Sequence, residues 1–498
     1  MTGVALLLVV PLATAVATLL ASRAPALQRG LSVAGAGAQL VCALAVAADV
    51  WRLGVRVVAV GSWPPPFSIV LVADHLSAAM VVITGVIGLT VAIYSLASLA
   101  PRHVSLGYHP LYHVQILGVT GAFLTGDIFN LYVWFEVLLM ASFALLVLGN
   151  ERAQLRGALK YVLINLASSL MLLTSVALLY GATGTLNMAH LAQRLPAVAS
   201  PELVTILAAL FIAAFGLKAA LFPLFAWLPA SYHTPPVPVM ALFAGLLTKV
   251  GVYALIRVFT LLFTQVPALT HDVLLFIAGA TMLTGVLGAV AQNDVRRILA
   301  IHIVSQVGYL VMGLALFTPL ALAAAVFFSL HVIVVKVSLF LISGEMRRLG
   351  GSFALDRCRG LYQRYPLMAG LFAVSALSLA GFPPLSGFWA KLMLIMAGLR
   401  EGRHVIVAVA LLVSLLTTFS MVKIWLRGFW TPPGEQQAAQ AAARPGYRVA
   451  LLVPIIALAA LTLAAGLWPE PLMRLSSRAA AELLDPEAYI QAVFAAAR

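Results

Sequence analysis

The chain has 498 residues, of which 63% are hydrophobic and only 9% are charged, with a mean hydropathy of +1.05. This composition excludes a soluble multidomain protein and indicates a polytopic membrane protein. The formal net charge of +14 would suggest a nucleic-acid partner in a soluble protein. Here the arginines fall in the loops between apolar segments, where they report membrane orientation, so no nucleic-acid partner is predicted.

Apolar stretches long enough to cross a hydrocarbon core of about 30 Å recur along the chain. We predict an all-α polytopic membrane protein with about fourteen transmembrane helices. The approximate spans are 3–22, 31–50, 75–98, 109–127, 129–149, 157–181, 203–228, 236–263, 271–292, 297–317, 320–343, 366–398, 404–427 and 448–468. No basic segment precedes the first span, so we expect a retained helix rather than a cleaved signal.

The connecting segments give a prediction of orientation. Loops after odd-numbered helices hold more Arg and Lys than the other loops, which predicts that they are cytoplasmic and that both termini are extracytoplasmic. Segment 51–74 contains two β-favouring runs around a Pro-rich turn and predicts an extracytoplasmic hairpin. Segment 431–446 has the composition of a linker, and the tail 469–498 is compatible with a short amphipathic helix at the membrane interface.

Four of the six lysines lie deep inside apolar segments, together with one carboxylate. They are Lys218, Lys249, Lys336, Lys391 and Glu136. A central ionisable residue opposes membrane insertion by roughly 2.5 to 3.5 kcal/mol unless it is paired, neutralised or hydrated. A purely structural scaffold would leave these charges unexplained, so we interpret the set as functional.

Glu136 lies in the apolar sequence FNLYVWFEVLL. Burial favours the neutral carboxyl and a nearby lysine favours the carboxylate, so its protonation would depend on how close the lysine is. That dependence is what a proton switch requires. A purely structural ion pair is the alternative.

Two of the lysines lie beside predicted interruptions of a helix. In the seventh helix Pro223 follows Lys218 by five residues, and a proline inside the membrane marks a kink or break. In the twelfth helix Pro383 and Pro384 lie in GFPPLSGFWAK, which ends at Lys391 and predicts two half-helices joined by unwound backbone. A lysine beside a broken helix is typical of an ion pathway, whereas a snorkelling Lys218 is disfavoured by its depth.

Two further predicted helices carry ionisable groups. Lys249 lies midway along the eighth helix, with Tyr253 one turn further on the same face, and could connect the two halves of the chain. His331 and Lys336 lie about 140° apart around the eleventh helix at 3.6 residues per turn. Either a π-bulge aligns them or they contact different neighbours. The imidazole of His331 suits a proton relay, and a neutral hydrogen-bonding role is the alternative.

Other polar side chains receive weaker interpretations. His302, Ser305 and Gln306 add polar groups to the tenth helix that could hold water, but none of them is specific by itself. Arg257 and Lys423 lie near the ends of predicted spans, so we interpret both as interfacial anchors.

The sequence predicts no cofactor and no metal site. Cys42 lies within a helix and Cys358 in a basic loop, which implies neither a disulfide nor a thiolate metal site. The chain has no phosphate-cradling Gly-rich motif and no CxxC or HExxH motif. A hard cation would need several carboxylates, and Glu136 is the sole acid predicted at mid-membrane depth. A sodium route is therefore expected to involve other subunits.

The sequence FPLFAWLPASYHTPPVPVMALFAGLLTKVGVYALIRVF, with FNLYVWFEVLL, SQVGYL and GFPPLSGFWAK, resembles the antiporter-like proton-pumping subunits of respiratory complex I. It is most similar to the D-type subunits of the Mrp multisubunit sodium/proton antiporters. The resemblance covers nearly the whole chain and implies two inverted five-helix repeats. The implied organisation is helices 1 to 3 with the hairpin in 1–108, helices 4 to 8 in 109–263, helices 9 to 13 in 264–430, and the linker, helix 14 and tail in 431–498.

The resemblance also implies roles for the matching residues. Glu136 would be partnered with Lys218, Lys249 would be the central lysine, His331 and Lys336 would form the relay of the eleventh helix, and Lys391 would be the terminal lysine of the broken twelfth helix. The implied ions are H⁺ and Na⁺ or another monovalent cation, and the implied partners are other subunits of an antiporter in the bacterial cell membrane. The implied activity is secondary transport and not enzymatic catalysis. The alternative is a proton-pumping subunit of a redox-driven complex, such as complex I or a membrane hydrogenase.

Overall fold

A computed structural model of the chain describes residues 2–61, 63–432 and 446–496. The α-helices are α1 Thr2–Leu20, α2 Pro25–Leu53, α3 His75–Ser98, α4 Pro101–Ser105, α5 Tyr108–Leu124, α6 Ile128–Leu146, α7 Arg152–Thr183, α8 Met188–Arg194, α9 Pro201–Ala219, α10 Trp227–Ser231, α11 Val237–Leu242, α12 Thr248–Leu261, α13 Leu274–Val290, α14 Val295–Leu316, α15 Pro319–Gly350, α16 Leu361–Arg364, α17 Pro366–Ala380, α18 Ser386–Arg400, α19 His404–Ile424, α20 Val449–Leu467, α21 Glu470–Leu484 and α22 Glu487–Ala495. Short 3-10 turns are Ala21–Arg23 and Leu195–Ala197, and π-helical turns are Phe243–Leu247, Ala268–Val273 and Trp425–Trp430.

The helices confirm the predicted class of all-α polytopic membrane protein. Within the described ranges, 12 helices are long and apolar enough to cross a membrane. Two predicted spans fall short of that length: the fourth corresponds to α5, with 17 residues, and the twelfth to α17 and α18, with 15 residues each. The count of fourteen therefore stays a prediction.

Three continuous helical spans form the centre of the bundle. The most apolar stretches of α14, of α15 and of the run from α11 to α12 are buried throughout, whereas α2 and α20 expose most of theirs. Exposed leucines such as Leu44 on α2 and Leu287 on α13 fit a surface that faces lipid. The ionisable residues of the central helices are thereby held away from the lipid.

Two of the long helices are interrupted. Helix α9 ends at Ala219, Ala220 adopts a left-handed conformation with φ 64°, and α10 begins at Trp227. Helix α17 ends at Ala380, Gly381 has φ 96°, and α18 begins at Ser386. The left-handed residue stops each helix because its backbone cannot continue the right-handed turn. Pro223, and the pair Pro383 and Pro384, lie in these non-helical segments.

Two aspartates begin helices in the same way. Asp127 accepts the backbone N–H of Asn130 at 2.7 Å at the start of α6, and Asp294 accepts that of Arg296 at 2.9 Å at the start of α14. Each aspartate also forms an isolated antiparallel bridge, Asp127 with Asn187 after α7 and Asp294 with Ala354 after α15. The two corners have the same construction in different parts of the chain.

The predicted hairpin and tail both pack on the bundle. Strands β1 Arg56–Ala59 and β2 Val70–Ala73 pair antiparallel, with Arg56 opposite Ala73. The tail forms two helices, α21 and α22, rather than the single predicted one. Glu482 of α21 accepts the backbone N–H of His75 at 3.0 Å and bonds its Nδ1 at 2.7 Å, which fixes the tail to the start of α3. Most of the predicted linker, residues 433–445, lies outside the described residues.

Candidate functional site

Lys218 lies in the last turn of α9, directly before the first interruption. Its ammonium donates to Ser169 Oγ of α7 at 3.0 Å and lies 4.9 Å from the centre of the Phe135 ring on α6. The side chain is 4% exposed. A hydroxyl and an aromatic face stabilise a cation less than a carboxylate does.

Glu136 is next to Phe135 on α6 and is half-buried. The structure holds no ion pair within 4.0 Å between Glu136 and Lys218, and the ring of Phe135 lies over the ammonium. Glu136 Oε1 is buried without a hydrogen-bond partner among the described residues. The carboxylate is thus close to the lysine in the fold but not bonded to it.

Lys249 is bound by a carbonyl group of its own helix segment. A π-helical turn, Phe243–Leu247, separates α11 from α12, and the Lys249 ammonium donates to the carbonyl oxygen of Ala244 in that turn at 2.8 Å. Such turns are frequent at functional sites because they change the pattern of backbone hydrogen bonds. Tyr253, one turn further, donates to the carbonyl oxygen of Phe123 at 2.8 Å.

His331 and Lys336 contact different neighbours, which resolves the alternative left open by the sequence. Helix α15 is α-helical from Pro319 to Gly350, so no π-bulge aligns the two side chains. His331 Nδ1 bonds to Ser386 Oγ in the first turn of α18 at 2.8 Å. The Lys336 ammonium donates to the carbonyl oxygen of Leu299 on α14 at 3.2 Å.

Lys391 lies in α18 and closes the second interruption. Its ammonium donates to the carbonyl oxygens of Leu379 at 3.0 Å and Ala380 at 2.9 Å, and to Ser414 Oγ of α19 at 3.1 Å. The ring of Tyr309 on α14 lies 5.1 Å away. The end of a helix carries partial negative charge and unpaired carbonyl groups, so it favours a cation at this position.

A polar face of α14 lies between Lys336 and Lys391. Gln306 donates to Ser305 Oγ at 3.0 Å, and His302 Nδ1 lies 3.4 Å from the same oxygen. His302 Nε2 and Gln306 Oε1 have no hydrogen-bond partner in the part of the chain that the structure describes. Buried polar atoms of this kind normally bind water. The sequence showed these residues but not that they lie on the helix that Lys336 and Lys391 contact.

A buried ion pair joins two residues that the sequence did not connect. Arg257 Nη2 lies 2.6 Å from Asp74 Oδ2, with side-chain exposures of 5% and 2%, and its guanidinium stacks near the rings of Tyr253 and Tyr489. The interpretation of Arg257 as an interfacial anchor was therefore wrong, since both partners lie at the ends of spans that meet inside the bundle. Lys423 is half-buried and donates to the carbonyl oxygens of Val290, at the end of α13, and Gln292, just beyond it, so its interpretation as an interfacial anchor stays a prediction.

Among the residues that the structure describes, no group of three or more His, Cys, Asp or Glu side chains could hold a metal ion. Amine, imidazole and hydroxyl groups, which make up the arrangement, are chemically able to exchange protons. Each of the four ammonium groups donates to uncharged oxygens, and the hydroxyls of Ser169 and Ser414 are among these acceptors. The fold and the site together define a multispanning helical membrane protein that buries four lysine amines against uncharged partners.

Comparison with known proteins identifies the family. The sequence model described as NADH:quinone oxidoreductase/Mrp antiporter, TM matches residues 125–417. The D subunit of the Na(+)/H(+) antiporter of Alkalihalophilus pseudofirmus is 45% identical over 468 residues, which cover 94% of each chain. The chain belongs to this NADH:quinone oxidoreductase/Mrp antiporter family.

Two solved structures share the fold over almost the full length. A chain of the Mrp complex from Dietzia sp. is 37% identical with a TM-score of 0.90, and 99% of both chains is covered. A chain of the membrane-bound sulfane sulfur reductase, an archaeal respiratory membrane complex, is 28% identical with a TM-score of 0.91 and coverage of 98% and 99%. The predicted family is confirmed.

Proposed function

We propose that the chain is the proton-translocating subunit of a multisubunit monovalent cation (Na⁺)/H⁺ antiporter. One observation carries the proposal: each of the four buried lysines donates to hydroxyl or carbonyl oxygens, and none forms an ion pair within the described ranges. A buried ammonium without a counter-ion is stabilised weakly, so it can release its proton at little cost. The subunit is a transporter component rather than an enzyme.

Protons move across the bundle in the order of the side chains. They pass from Lys218 to Lys249, then to Lys336 and His331, and finally to Lys391. The polar face of α14 supports the last step because water bound at His302 and Gln306 would bridge the two lysines. The path runs parallel to the membrane plane at the depth of the helix interruptions.

Glu136 acts as the switch of the first lysine. Glu136, whose Oε1 has no hydrogen-bond partner among the described residues, follows Phe135 in the chain, and the Phe135 ring lies 4.9 Å from the Lys218 ammonium. Rotation of the carboxylate toward Lys218 would stabilise the ammonium, and rotation away would favour the neutral amine. The pair therefore couples proton release to a small side-chain movement.

Two inverted repeats, in 109–263 and 264–430, give the proton path two related halves. Two features support this division: the matching corners at Asp127 and Asp294, and the interrupted helices α9 and α17 in corresponding positions. In inverted repeats the corners would lie on opposite sides of the membrane, as expected for transporters of this architecture.

The chain lies in the bacterial cell membrane with both termini extracytoplasmic. This orientation is supported by the arginines of the odd-numbered loops. A polar cavity of about 630 Å³ opens on the side of these odd-numbered loops, which is the cytoplasmic side in this orientation. It is lined by Arg102, His103, Glu151, Asp294 and Arg296. It reaches Met240 of α11, one turn before the Ala244 carbonyl that binds Lys249. The cavity is a suitable proton uptake site.

The cation route involves the other subunits of the complex, since the described part of this chain offers no carboxylate cage for Na⁺. The coupling of proton movement to cation movement needs no chemical reaction. Each elementary charge that crosses 100 mV exchanges about 2.3 kcal/mol, which is enough to drive a cation in the opposite direction.

The test is cation-dependent proton exchange in vesicles that contain the assembled complex. A pH-sensitive dye reports proton movement after addition of Na⁺. We expect Lys218→Ala and Glu136→Ala each to abolish the exchange without loss of the chain from the membrane. Near-normal exchange in either variant would refute the relay.

A redox-driven complex is the second candidate, because a chain of the archaeal respiratory membrane complex shares the fold of this chain at 28% identity. Identification of copurifying subunits separates the two. Small Mrp-type membrane subunits support antiport, whereas quinone-reductase or hydrogenase subunits support the redox alternative.

A further inference from the structure

A deep apolar cavity lies outside the row of lysines. It has a volume of about 510 Å³ and opens between α2, α3, α15, α20 and α21. Its walls are formed by apolar side chains, among them Val50, Ala79, Ile83, Val334, Leu461 and Leu472. Cavities that bind organic ligands have volumes of roughly 300 to 1,000 Å³ and walls of this character. The cavity is large enough for a long apolar chain.

The floor of the cavity is polar. His331 and Ser386, which bond to each other at 2.8 Å, are both part of its lining. His331 is 3% exposed, and its Nε2 has no hydrogen-bond partner among the residues that the structure describes. If this cavity were open and filled with water, it would connect the ionisable His331 of the central bundle to the membrane interface at the cavity mouth. An apolar occupant would keep water away from it.

The mouth of the cavity has the chemistry of a membrane interface. Trp51 and Trp468 line it and are 42% and 72% exposed. Tryptophan side chains are enriched where the hydrocarbon core meets the headgroups. The exposed guanidinium of Arg478 stacks 3.7 Å from the Trp51 ring, one turn beyond the lining residue Leu475. It offers a positive charge to a group at the headgroup level.

We propose that this cavity binds one phospholipid, with an acyl chain inside the cavity against His331 and Ser386 and the phosphate at Arg478. The occupant is a lipid because the features of the cavity follow the order of the parts of a phospholipid. The apolar interior matches the acyl chain, the two interfacial tryptophans match the glycerol, and the basic residue matches the phosphate. The binding does not depend on the proposed function. If His331 carries protons, the acyl chain also insulates it from the bilayer side.

Photo-crosslinking tests the site in the complex as it is purified with its subunits. The protein is reconstituted with phosphatidylglycerol that carries a diazirine in the acyl chain, irradiated, and mapped by mass spectrometry. We expect labels on α3 between Ala78 and Val86 and on α20 near Ala465. Val82→Trp and Ala465→Trp fill the cavity from two different helices, and both should remove these labels. Leu287→Trp on the exposed face of α13 is the matched control and should leave them unchanged.

A second variant tests the phosphate. Arg478→Gln should lower labelling by phosphatidylglycerol about fivefold, the factor that corresponds to about 1 kcal/mol for one basic residue at the membrane surface. Labelling by a diazirine diacylglycerol, which lacks the phosphate, should not change. Labels spread evenly over all lipid-facing helices would overturn the proposal. So would labels that persist in both tryptophan variants, or a copurifying subunit that occupies the cavity instead.

Discussion

The ammonium of Lys391 donates to the carbonyl oxygen of Ala380 at 2.9 Å, so a residue of α18 closes the end of α17 across the interruption. The bond therefore places the positive charge of the lysine at the C-terminal end of the first half-helix. Release of the proton would remove the attraction between the cation and the helix end. The carbonyl groups freed by the interruption stabilise the buried ammonium. The same segment of backbone is the part whose contacts would change when the lysine loses its proton.

Gly381→Ala should damage this connection. Gly381 has φ 96°, which costs an L-residue roughly 1 to 2 kcal/mol, and an added Cβ would lie 2.9 Å from Lys391 Cδ. We expect a lower unfolding temperature and reduced proton exchange, measured by thermal unfolding in detergent and by the vesicle assay.

The matched control is Gly370→Ala on α17, where an added Cβ meets nothing within 4 Å. This change should leave exchange intact. Equal behaviour of the two variants would mean that the position of Lys391 is unimportant.

Lys218→Arg separates charge from proton exchange. Arginine keeps the positive charge but does not release its proton in proteins, so the relay should stop. Positioned proton transfer contributes about 100-fold or more, and we expect the exchange rate to fall by about that factor. The measurement is the initial rate of dye response after addition of Na⁺.

Lys160→Arg on the exposed side of α7 is the control and should retain the full rate. A Lys218→Arg variant that transports normally would show that this lysine acts only as a fixed charge.

The Asp74 and Arg257 pair should be important for stability. Arg257→Gln leaves a buried carboxylate without its partner and should destabilise the fold by about 3 to 5 kcal/mol. The double change Asp74→Asn with Arg257→Gln removes both charges, and asparagine still caps α3, so much of the loss should be recovered. Thermal unfolding of the single and double variants measures the coupling.

Arg474→Gln provides the comparison, because its partner Glu470 is exposed and such pairs contribute about 0 to 1 kcal/mol. The coupling hypothesis fails if the double variant is as unstable as the sum of its two single changes.

His302→Gln should slow exchange between Lys336 and Lys391. Glutamine keeps hydrogen-bonding groups but cannot take up a proton at physiological pH. We expect a loss of about 100-fold if the imidazole transfers protons directly. His190→Gln on α8 is the control. An unchanged rate in His302→Gln would assign the polar face of α14 to structure alone.

Much of the fold follows from local sequence. The long apolar runs predicted the helices, and Pro383 with Pro384 predicted the interruption before Lys391, because hydropathy and proline act within one helix. The tail was less accessible: its composition predicted one interfacial helix, whereas Glu482 fixes it to His75, more than four hundred residues away. Arg257 was misinterpreted for the same reason, since its partner Asp74 belongs to another span.

The sequence by itself determined which charges lie within the membrane and in what order along the chain, because each buried lysine stands out against an apolar run. Only the tertiary structure decided what each amine contacts. Ala244, Leu299, Leu379 and Ala380 bind the lysines through backbone carbonyl oxygens. Every residue has such an oxygen, so no side-chain pattern marks the few that a π-helical turn, a broken helix or a neighbouring helix brings to an ammonium group.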